Sequence, residues 1–180
     1  MDLIPDIQIS LVELNQLMKE RALAVLKRAD ISSLDAVGGA FWADILFVTG
    51  RERASLNSEQ LEALGKASAG LDYLATQYAL LSVYEEVEPT IDATGNSAGA
   101  VQQLEAYVLA LGADTIVFLE AETAQKLQGF NRGVLAAHDY LNVVVVTDFF
   151  GSLAADSEQQ ERKKQAWQEL QLARRQTAMR

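Results

Sequence analysis

Four short apolar runs stand out along the chain against segments of longer period. Ala43, Asp44, Ile45, Leu46, Phe47, Val48 and Thr49 form the first, rich in large and β-branched residues and closed by Gly50. The second is Tyr78 to Tyr84, whose Ala and Leu would suit a helix as well. Asp114 to Leu119 is the third and Leu141 to Thr147, with its four successive valines, the fourth. Near-continuous apolar runs of this length predict parallel strands covered on both faces.

Between the runs the apolar spacing lengthens to that of helices. Leu11, Leu14, Met18 and Val25 share one face of a helix from about Ser10 to Arg28, part of an N-terminal helical extension over about 8–30. Asp30 to Gly39 then reads as turn and loop. Asn57, with Gln60 three residues on, has the pattern of a capping box for a helix running to about Ala69. Ser97 is a candidate cap for a helix through Leu104, Tyr107, Val108 and Leu111, stopped by Gly112, and Ala121 to Leu127 suits a short helix before Gly129. The last helix starts near Ser157 and turns Ala166, Trp167, Leu170 and Ala173 inward. Strands alternating with helices predict one α/β domain over residues 1–180, a three-layer αβα sandwich around a four-stranded, mainly parallel sheet.

Composition narrows the chemistry. With no cysteine and one histidine, His138, the chain lacks thiol nucleophiles, zinc-thiolate sites and the usual iron–sulfur ligands, and no metal or other cofactor is expected. No stretch reaches the roughly 18 apolar residues of a membrane helix, and Met1 to Asp6 lacks a basic leader, so a soluble cytoplasmic protein with no membrane contact is expected. Residues 157–180 hold six Lys or Arg against three Glu, so of the net −10 about −13 falls on residues 1–156. Such a body repels phosphate backbones. DNA binding is therefore disfavoured, although the basic last helix offers a local exception.

The loop after the fourth run occupies the position where open α/β proteins usually keep their chemistry. Here it reads Asp148, Phe149, Phe150, Gly151, Ser152, with no His, Cys or Lys. The phenylalanines suit either a stacking platform for a base or core filling and protein contact, and the absence of a polar reader beside them favours the second. The loop from Glu85 to Gly95 is rich in acids but lacks calcium-loop spacing, so it reads as a solvated surface loop.

Several blocks, in order, resemble the uracil-DNA glycosylase superfamily, most of all its bacterial iron–sulfur group. Gly38, Gly39, Ala43 to Val48 and Gly50 resemble the family's first strand and catalytic loop. Pro89, Gly95 and Asn96 resemble a second motif interrupted by an insertion, and Leu104, Glu105, Tyr107, Leu111, Ile116, Val117, Leu119, Ala124 and Leu127 resemble a third. Val145, Val146, Thr147 and then Lys163, Lys164, Ala166, Trp167, Glu169 and Leu170 complete the series, which spans about residues 38–172.

The resemblance implies a flipped base read at its edges, a water positioned after the first strand and a His after the last strand that stabilises the departing base. The chain departs from each. Gly50, Arg51, Glu52, Arg53 and Ala54 displace the expected acid by one position, and Phe149 and Phe150 stand where His and Pro are expected. Leu81, Ser82 and Val83 fill the window of the base-reading Asn, and the cluster cysteines are missing.

Glu52 and Asp148 are the remaining catalytic candidates. Glu52 reads more simply as a solvated ion pair with Arg51 or Arg53, and an ionised Asp148 would repel a departing anion. His138, before the last strand, reads as a surface or capping residue. The candidate binding positions are Gly50, Arg51, Phe149, Phe150, Gly151 and Ser152. The resemblance thus implies an inactive glycosylase-fold module that binds a protein partner in DNA replication or repair. The psi subunit of the bacterial clamp loader is similar in lacking the catalytic motifs and ending in a Trp-bearing basic helix, although its N-terminal segment has no match here. The alternative is a hydrolase of altered chemistry acting on modified bases in DNA.

Overall fold

The computed structural model of the chain describes residues 10–74, 77–83, 98–127 and 141–174. Ser97, the motif positions Pro89, Gly95 and Asn96, the acids from Glu85 to Asp92, Gly129 and His138 lie outside them. Both capping boxes form as their sequences dictate. Ser10 caps α1 (Leu11–Lys27) with Glu13 answering, and Asn57 caps α2 (Ser58–Gly70) with Gln60 answering. Each closes two otherwise orphaned amides at a helix start.

The apolar runs become β2 (Ile45–Thr49), β3 (Tyr78–Ser82), β4 (Thr115–Phe118) and β5 (Asn142–Val145). The remaining α-helices among the described residues are α3 (Ala98–Leu111), α4 (Ala121–Lys126) and α5 (Gln159–Leu170). A fifth strand corrects the expected four: Val37–Gly39, read as loop, is β1 and pairs antiparallel with β3. Three residues with two glycines carry no apolar run, so only the pairing with β3 reveals this strand. The sheet is therefore mixed, in the order β1-β3-β2-β4-β5, with β2 to β5 parallel.

Alternate residues of the central strands feed two cores. Leu46 and Val48 of β2 join Ala22 and Leu26 of α1 and Leu104, Val108 and Leu111 of α3 on one face. Ile45 and Phe47 join Leu64 and Ala67 of α2 and Ala166 and Leu170 of α5 on the other. Helices thus cover both sides of the sheet. Travel from β2 to β3 uses α2 on one face, whereas travel the opposite way, from β3 to β4 and from β4 towards β5, uses α3 and α4 on the other. A single crossover hand requires this arrangement.

Two expectations about the chain's last third change. β5 is an edge strand with Asn142 and Val145 exposed, because nothing pairs beyond it among the described residues; four valines in a row hid this alternation. Trp167 does not point inward with Ala166 and Leu170. It stays half-exposed and lays its ring tip on Gly70, where a Cβ would come within 2.6 Å.

Candidate functional site

β2 and β4 are neighbours whose exits lead to opposite faces, so the crevice between their carboxyl ends is the switch point of the sheet, the usual ligand position in such folds. Thr49 ends β2 fully buried, and Gly50 follows it. Across the crevice, Glu120 follows β4 and caps the start of α4 without a side-chain cap bond.

Among the described residues, it is Glu120 that reaches into the crevice. Its Oε1 accepts from the Thr49 hydroxyl at 2.7 Å and lies 3.7 Å from Arg51 Nε. Its Oε2 accepts from Gly50 N–H at 3.1 Å and from the Thr123 hydroxyl at 3.1 Å. An ionised carboxylate offers about four acceptor positions, of which three take hydrogen bonds here, while Arg51 at 3.7 Å adds an ion pair. Such a group holds loops together, with most of its acceptor capacity spent on them. A Cβ on Gly50 would sit 2.6 Å from Thr123 Oγ1, so the close approach of the two loops depends on glycine.

Arg51 extends the closure to the third loop. Its guanidinium lies over the Phe150 ring at 4.9 Å, and its carbonyl accepts a short hydrogen bond from the Ser82 hydroxyl at the end of β3. Arg53 is turned the other way and donates to the carbonyls of Val37 at 2.7 Å and Asp35 at 3.4 Å, fastening β1 to the loop. The ion pair expected between Glu52 and its flanking arginines therefore does not form. Both cations are engaged elsewhere, and the exposed Glu52 carboxylate takes no bond from the described residues.

The loop after β5 is sewn to the same edge. Phe149 N–H donates to Leu119 O at 2.9 Å, and Ala121 N–H donates to Thr147 O at 3.0 Å. Asp148 turns its carboxylate into its own loop, accepting from Gly151 N–H at 2.9 Å, and Ser152 donates its hydroxyl to Phe149 O. Phe149 and Phe150 pack edge to face with centroids 5.4 Å apart and are only 5% and 3% exposed. They belong to the core shared with Val144, Ala166 and Leu170. Thr147 donates its N–H and its hydroxyl to Glu169 of α5, each at 2.8 Å. Burial pushes the Glu169 carboxyl up, but the bonds from Thr147 and Gln165 outweigh it and hold it below its ordinary value.

Gly50, Arg51, Phe149, Phe150, Gly151 and Ser152 are thus brought to one edge, as parts of its closure. Glu52 and Asp148 are not joined to each other by any contact. Sequence reasoning missed Glu120 and Thr123; the available signal was an acid at a strand's carboxyl end directly before a short helix, the same context that drew attention to Asp148. Among the described residues no three His, Asp or Glu side chains gather as a metal site. No described helix is long and apolar enough to cross a membrane.

At the opposite, amino end of the sheet lies a groove of about 1530 Å³ between the first half of α1 and the segment Gly39 to Trp42, with Tyr78 at its floor. No protein-family model matches the chain, and no curated protein matches it.

Proposed function

We propose that the chain is a binding module on a uracil-DNA glycosylase-like scaffold that no longer performs the glycosylase reaction and serves DNA replication or repair through a protein partner. The observation that carries this reading is the burial of Phe149 and Phe150 in the core, at the positions where the resemblance expects His and Pro. Aromatic rings packed into a core supply no donor to a departing base. The Glu120 carboxylate on the same edge is already engaged by three donors of the loops it joins, which speaks against its use as a general base. The four parallel strands β2 to β5 and the three-layer arrangement agree with the fold that the resemblance implies.

The test is incubation with single- and double-stranded oligonucleotides containing uracil or hypoxanthine. The expected result is no base release above buffer. Release abolished by Glu52→Gln or Asp148→Asn would overturn the reading and establish the altered hydrolase in its place.

A further inference from the structure

The first half of α1 overhangs the domain. Ala22 and Leu26 enter the core, but Leu11 and Val12 are 79% and 80% exposed, and Leu14 and Leu17 are 42% and 49% exposed. An isolated helix of a few turns is marginal in water, and exposed leucines add no stability to it. The groove beneath this overhang is lined on one side by Leu11, Leu14 and Met18 and on the other by Phe41, Trp42 and Tyr78. Lys19 and Arg21 lie over Phe41 and Trp42 at 5.8 Å and 4.3 Å from the ring centroids, so these cations cover aromatic surface.

We propose that this groove is filled by α1 of a second copy of the chain, in a two-fold pair in which each copy gives one overhanging helix and receives one. Size supports this occupant. A helix with side chains is about 11 Å across, so about three turns of it take up a volume of this order, and Leu11 to Arg21 is about three turns long. Charge supports it as well. The stretch from Ser10 to Arg21 holds Glu13 and Glu20 against Lys19 and Arg21 and is neutral, within a chain of net −10. Two copies can therefore meet here without the repulsion that their bodies would impose, and a strongly cationic partner finds no excess negative charge on this helix. Sixteen residues of each copy line the groove, fewer than the roughly 20–30 a side of a standard interface, so the pair expected is a reversible one of micromolar strength. A patch that supplies both ridge and groove is self-complementary, as a two-fold contact requires.

Sedimentation equilibrium of the whole chain, over concentrations from low to high micromolar, tests the pair. The expected mass rises from 19.7 kDa towards twice that value. The double substitution Leu14→Glu with Leu17→Glu, at exposed positions, should weaken association by about a hundredfold or more with the helical circular dichroism retained. Leu109→Glu, exposed on α3 away from the groove, should leave association unchanged. A chain that is monomeric throughout, or a pair indifferent to the double substitution, overturns the proposal. So does a monomer that pairs only after removal of residues 1–9, which would assign the groove to the chain's own leading segment.

Discussion

Glu120 accepts from two threonine hydroxyls and a backbone amide at once, with Arg51 beside it. Replacing it with alanine strands three donors at a partly buried edge, and a loss of about 3 kcal/mol is expected, read as a lower urea midpoint with unchanged slope. A loss below about 0.5 kcal/mol would mean that the crevice stays closed without it. Its role was illegible in the sequence because its chief partner, Thr49, lies 71 residues away. Which donors a carboxylate gathers is a property of assembled loops, and no local pattern announces it. Asp148 and Glu52 attracted notice because they sit in recognisable segments. One of them turns into its own loop, and the other faces solvent.

Elements were more legible than contacts. The four apolar runs became β2 to β5 and both capping boxes formed, because period and cap chemistry act within a few residues. β1 and the edge position of β5 depend on which strands pair, which period alone does not encode. Between elements, Glu169 ties α5 to the exit of β5 through Thr147. Its carboxyl lies below the ordinary value of 4.5, so the unfolded chain takes up the proton first as pH falls. The stabilisation is complete above that ordinary value and is lost as pH falls through the folded one. Urea melts should accordingly show Glu169→Gln less stable than the parent at neutral pH, with the gap closing in acid. A gap of constant size across that range would detach the latch from this carboxyl.

At the scale of the molecule, the three-layer plan followed from alternating strands and helices, while the linkage at the switch point became visible only once three described loops were brought to one edge. The charge of −10 belongs to this scale too, since most of its carriers are far apart and act through the summed field. Added salt shortens that field's reach, so the melting temperature should rise by a few degrees between low and physiological ionic strength; a fall would show that attractive pairs outweigh the repulsion. Finally, Trp42 and Trp167 are the chain's two tryptophans, and each rests on a glycine, Gly112 and Gly70, at the end of a helix on opposite faces of the sheet. At Gly112, φ is +71° and a Cβ would strike the indole of Trp42 at 2.5 Å, so the contact is available to glycine alone. Both indoles remain half in solvent. The protein therefore carries two native fluorophores, one watching the groove under α1 and one the seam between α2 and α5, and replacing either tryptophan by phenylalanine leaves the other as the reporter of its own end.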